Sequence, residues 1–273
     1  MKELSVRIAV AVIGIPLLLF ILIKGGVYFY LFSVIVTLIG QWEMYRLAER
    51  KNSKPNFWPG ILLGQILLAV VFIGAQTYLL ILGLVTLLYL VGAEMFRNDG
   101  SALLNTAGTL LGIAYPTFFW SLLLYVRLYF THLYPASGDW GGLFVIILFV
   151  TIWICDTFAY FFGMKFGKHR LFERVSPKKS WEGAVAGLFG ALLVYFVVYF
   201  WQIIPITLPV AIISGFIVGI FGQFGDLVES WFKRDAGVKD SSNLLPGHGG
   251  ILDRFDSILF STPFFLIMLM LLH

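Results

Sequence analysis

Charge is scarce in this chain of 273 residues: 12% of positions are Asp, Glu, Lys or Arg, while 59% are hydrophobic. So little charge cannot cover the surface of a water-soluble domain of this length, which excludes a soluble enzyme. Cysteine is scarcer still. The single one, Cys155, excludes an intrachain disulfide, and its place inside an apolar run reads as packing. HExxH and CxxC are both absent, so nothing in the sequence supports zinc. No internal repeat is found, which counts against an inverted-repeat transporter. The apolar stretch 6–23 lacks a small-x-small cleavage site before Lys24, so it reads as a span and not as a removable signal.

What the chain has in abundance is apolar runs of about 18 residues, the length that crosses a bilayer as a helix. They lack strict alternation, so helices and not barrel strands are expected, and the fold class is an all-α polytopic membrane protein. Spans are expected at 6–23, 27–45, 58–74, 78–93, 103–130, 141–163, 183–201, 207–230 and 254–272. Pro116 is expected to kink or break its run. These nine spans put the N-terminus in the cytoplasm and the C-terminus outside. All of the 19 lysines and arginines except Lys24 and Arg127 then fall on the cytoplasmic side, as topology rules require. The net charge of +4 accordingly reflects loops facing anionic headgroups and implies no nucleic acid. The chain divides by role into 1–140, helices for packing, lipid access and oligomer contact, and 141–273, a catalytic domain with its site at the cytoplasmic face.

Polar residues concentrate in two stretches, Cys155–Gly183 and Gly225–Ser257. An acid at mid-span costs roughly 2.5–3.5 kcal/mol, so Asp156, Asp226, Glu229, Asp253 and Asp256 need an explanation. Glu229 reads as an interfacial side chain. Asp253, Asp256 and Ser257 share one helix face, as do Asp226 and Ser230. Neighbouring carboxylates repel, so one takes a proton or a cation sits between them. Asp226, Asp253 and Asp256 with nearby hydroxyls form a hard oxygen set suited to magnesium, unless they merely pair with Arg254, Arg234 and Lys233. Between the helix ends lies LLPGHGG, whose Gly247, Gly249 and Gly250 free backbone amides to cradle phosphate beside a helix N-terminus. His248 is either a hydrogen-bond donor to phosphate or a proton carrier, or a loop-packing residue. Lys233, Arg234 and Lys239 supply cations; Ser176, Lys178 and Lys179 form a second candidate phosphate grip. Carboxylates, glycine amides and cations in one segment are the parts of metal-assisted phosphoryl or nucleotidyl transfer.

The run SWFKRDAGVKDSSNLLPGHGGILDRFD, Ser230–Asp256, resembles position for position the signature of the phosphatidate cytidylyltransferases, or CDP-diacylglycerol synthases. CDTFAYFFG, SPKKSWEG and Gly225-Asp226 are also similar to that family, whereas the N-terminal spans match only in being apolar. The resemblance implies the reaction of CTP with phosphatidate to give CDP-diacylglycerol and pyrophosphate, with Mg2+ and room for a second, monovalent cation. It implies metal ligation by Asp226, Asp253 and Asp256, catalytic parts for His248 and Lys239, and substrate contacts by Ser230, Lys233, Arg234 and Arg254. It further implies a homodimer in the bacterial plasma membrane. Two other classes compete: an ion-coupled carrier using the intramembrane acids, and a CTP-dependent lipid kinase that moves the terminal phosphate. Trp181 and Phe232 are aromatic candidates for the cytosine ring that read first as interfacial anchors.

Overall fold

The computed structural model describes residues 2–134, 139–244 and 249–272, with side chains from residue 12 onward. Its helices are α1 (Lys2–Lys24), α2 (Gly26–Glu49), α3 (Phe57–Phe72), α4 (Leu79–Arg97), α5 (Ala102–Gly112), α6 (Phe119–Leu133) and α7 (Trp140–Phe166). After the hairpin strands β1 (Arg170–Phe172) and β2 (Ser176–Ser180) come α8 (Trp181–Phe200), α9 (Leu208–Phe216), α10 (Gln223–Asp235) and α11 (Leu252–Leu272). The chain is an all-α polytopic membrane protein: among the described residues seven helical rods are long and apolar enough to cross a bilayer. Two further apolar helices are shorter, Val12–Lys24 and Phe57–Phe72.

Two rods change helical register part-way. Pro116 lies in a π segment, Ile113–Phe118, that joins α5 to α6, so the rod continues where a break was one of the expectations. A second π segment, Ile217–Gly222, joins α9 to α10. Its loosened ladder is repaired by Gln223, whose Nε2 donates to the Gly219 carbonyl at 2.5 Å and to the Ala184 carbonyl at 2.9 Å. The hairpin was not foreseen; β1 and β2 pair antiparallel, with Arg170 opposite Ser180 and Phe172 opposite Ser176.

The chain packs into two compact units: Met1–Leu17, Gly25–Tyr125 and Phe232–Arg254 form the first, and Leu18–Lys24, Val126–Trp231 and Phe255–His273 the second. They alternate along the sequence; the division at residue 140 concerned role and not compactness. In the first unit, buried Gln41 donates to the Gly60 carbonyl at 2.7 Å and accepts from Thr117 Oγ1 at 3.1 Å, so its amide is satisfied away from water. In the second unit, small residues let helices approach closely. A Cβ on Gly183 would stand 2.7 Å from the Ala159 carbonyl oxygen, and one on Gly219 would stand 2.8 Å from Leu188 Cα. In the core of this unit Phe130 and Phe144 stack with centroids 4.5 Å apart, and Phe144 meets Phe265 edge-on at 5.5 Å. Cys155 is buried there against Gly187, as expected of a packing residue.

Candidate active site

In the second unit, α10 and α11 meet at Gly225. A Cβ at that position would lie 2.6 Å from the Asp256 carbonyl oxygen and 2.7 Å from Phe260 Cβ, so only glycine allows this approach. The crossing holds the next residue, Asp226, beside α11. Asp256, 9% exposed, lies within electrostatic reach of Asp226, Asp156 and Lys179. Lys179, at the end of the hairpin, places Nζ 2.7 Å from Asp226 Oδ2 and 3.5 Å from the Gln223 carbonyl. Ser230 Oγ donates to Asp226 Oδ1 at 3.3 Å, one helical turn along α10. Two carboxylates, one ammonium and one hydroxyl are thus gathered; of these, the sequence spacing predicted only the face shared by Asp226 and Ser230. Ser176 is half-buried and Lys178 exposed on the same hairpin. Glu229, read as interfacial, is instead 1% exposed, because the face of α10 that carries it turns inward.

In the first unit, Lys233 and Asp253 form an ion pair with side-chain exposures of 10% and 5%. Asp253 Oδ2 also accepts from the Gly250 amide at 2.7 Å and the Ser241 amide at 3.0 Å, and Ser241 Oγ lies 2.9 Å away. The glycines make this possible by close approach. Gly249 has φ +78°, and a Cβ there would stand 2.7 Å from Asp253 Oδ2; one on Gly250 would stand 2.4 Å from Glu43 Oε1. The Gly250 amide therefore serves Asp253, where the sequence reading expected it to stand open to phosphate. Gly247 and His248 lie outside the described residues.

Glu43 of α2, which sequence reasoning missed, is fully buried beneath the loop. Its Oε1 accepts from Ser242 Oγ at 2.6 Å and the Ile251 amide at 2.9 Å; its Oε2 accepts from Ser241 Oγ at 3.0 Å and the Leu252 amide at 2.8 Å. Ser241 has one hydroxyl proton for two carboxylates. The signal was available: an acid inside the second apolar run carries the same insertion cost that singled out the aspartates.

Beside this cluster opens a groove of about 650 Å³ lined by Trp42, Arg46, Arg50, Lys239, Ser241 and Ser242 among others. Lys239 is thus placed where three cationic side chains share one concave surface. Arg46 also pairs with Glu49 at 3.1 Å, in the open. Arg234 is exposed, donating to the Val238 carbonyl at 3.0 Å, and Arg254 is exposed. Phe232 packs edge-on against Tyr115 with centroids 5.5 Å apart, while Trp181 stands 57% exposed.

Among the described residues, no three His, Cys, Asp or Glu side chains are gathered as a metal ion would require. Of the three expected ligands, Asp226 and Asp256 stand together in the second unit, and in the first Asp253 is held by Lys233, Ser241 and Gly250. Asp226 and Asp256 are hard oxygen donors of the kind magnesium takes, and Asp226, like Asp253, is paired with a lysine.

Residues 5–272 match the model of the cytidylyltransferase family. Among curated relatives, a phosphatidate cytidylyltransferase of Staphylococcus saprophyticus is 36% identical over 272 residues, covering 97% of this chain and 99% of the relative. One from Staphylococcus haemolyticus is 34% identical over 268 residues, covering 97% and 99%. Another, from Staphylococcus aureus strain COL, is 35% identical over 280 residues, again covering 97% and 99%.

Proposed function

We propose a mechanism from one premise: the chain belongs to the cytidylyltransferase family. It is an enzyme of phospholipid biosynthesis that transfers the CMP moiety of CTP to phosphatidate, giving CDP-diacylglycerol and pyrophosphate. The reading supported best by the geometry is in-line attack. A phosphate oxygen of phosphatidate forms a bond to the α-phosphorus of CTP, the bond from that phosphorus to the bridging oxygen breaks, and pyrophosphate leaves with the electron pair. A phosphate monoester is already anionic, so positioning matters more than a strong general base.

The observation that carries this reading is the convergence of Asp226, Asp256, Ser230 and Lys179. Asp226 and Asp256 would hold Mg2+, with a monovalent cation as a further candidate; when bound, the divalent ion neutralises the triphosphate and the charge that develops on the leaving group. Lys179 would meet phosphate oxygens as it exchanges its contact with Asp226. Asp253, rather than ligating, would orient Lys233 toward the reacting phosphates. The groove is of a size that nucleotides occupy, and Lys239, Arg46 and Arg50 would receive the polyphosphate there. Arg234, Arg254, Ser176, Lys178, Gly247, Gly249 and His248 remain proposed phosphate contacts. The site would face the cytoplasm, where CTP is dissolved, at the depth of the lipid headgroup; assembly as a homodimer belongs to the same reading.

The test is purified protein in detergent, given CTP and phosphatidate. Release of pyrophosphate in step with CDP-diacylglycerol supports the mechanism; transfer of the terminal phosphate, or ion transport without turnover, contradicts it.

A further inference from the structure

Glu43 is placed to do more than fill a hole. A carboxylate at a helix N-terminus is an ordinary cap when it comes from the preceding turn. Glu43 comes from α2 and grips both ends of one loop, Ser241 and Ser242 where it begins and Ile251 and Leu252 where it ends. Two of the four partners are backbone amides that only donate, so without the carboxylate they must turn to the serine hydroxyls or to water for an uncharged acceptor. Both oxygens are filled and the side chain is fully buried, which leaves it no substrate to touch. Its reach is indirect: Ser241 also donates its amide to Asp253, and Ser241 and Ser242 line the groove. The missing Cβ of Gly250 lets the loop backbone descend onto Glu43.

We infer that Glu43 is a positioning residue for the transfer reaction: its carboxylate ties Ser241 and Ser242 to Ile251 and Leu252 and so sets Asp253, with Lys233, and the hydroxyls of the groove. This rests on the reading that the loop carries the chemistry. Glu43→Gln keeps the shape but cannot accept from four donors. Its turnover with CTP at sub-saturating concentration should fall about tenfold or more, with KM for phosphatidate within about twofold of the parent. Glu43→Asp, which keeps the charge, should lie between the two.

A second readout is independent of activity. Asn243 is exposed and Cys155 buried, so a spin label on Asn243→Cys reports loop order in the full-length protein. The label should be restrained in the parent and clearly more mobile in Glu43→Gln, with the unfolding temperature in detergent little changed. An equally restrained label with parental CTP kinetics overturns the inference. So does an equal loss for both substrates together with a lowered unfolding temperature, which marks a merely structural carboxylate. A mobilised label beside a fully active Asp253→Asn supports the clamp and overturns instead the reading that the loop carries the chemistry.

Discussion

At the scale of single residues, the buried Lys233–Asp253 pair and the more open Lys179–Asp226 pair differ in what removal should do. Asp253→Asn keeps the shape of the side chain but withdraws the charge opposite Lys233; turnover in a membrane assay should drop at least about a hundredfold while the folded protein persists. Lys233→Ala leaves the Asp253 carboxylate buried without its cation and should destabilise the protein by about 3–5 kcal/mol, read as a lowered unfolding temperature in detergent. Lys239→Ala should raise the CTP concentration needed for half-maximal rate without altering the phosphatidate requirement; an unchanged CTP dependence argues against a nucleotide contact in the groove. The acids themselves were legible because charge in an apolar run is costly and three- or four-residue spacing names a helix face. Their partners were not. Spacing on α11 cannot say that Ser241 and Gly250 fold back over Asp253, nor that Glu43 reaches them from a helix some 200 positions earlier.

At the scale of elements, the meeting of α10 and α11 depends on Gly225. A methyl group there collides with the Asp256 carbonyl and the Phe260 side chain, so Gly225→Ala should cost about 1–3 kcal/mol and should shift Asp226 relative to Asp256. The expected outcome is a lower unfolding temperature together with reduced turnover; full activity with unchanged stability would show that the crossing tolerates a wider spacing. The helical rods themselves could be read from apolar length, since a bilayer leaves the backbone little else to do. The π segments at Ile113–Phe118 and Ile217–Gly222 could not, because register within a helix depends on side chains such as Gln223 that repair it from a distance in sequence. The hairpin of β1 and β2 was likewise hidden, being too short and polar for either period to register.

At the scale of the whole molecule, the seven long apolar rods alone would put Lys54 and Lys178 on opposite faces; the orientation proposed from the basic loops, with both in the cytoplasm and Lys24 outside, needs α3 to cross as well. Single cysteines at these positions, treated in intact cells with an impermeant maleimide, should react at Lys24→Cys and stay silent at Lys54→Cys and Lys178→Cys until the membrane is opened. Buried Cys155 gives little background. The account as a whole turns on Asp226 and Asp256 acting together at a divalent cation, and a magnesium titration of turnover in the parent, Asp226→Asn and Asp256→Asn addresses that directly. The parent should be silent in chelator and recover with Mg2+, and each variant should stay inactive or need far more of the ion. A variant with parental turnover at parental Mg2+ concentrations would contradict it.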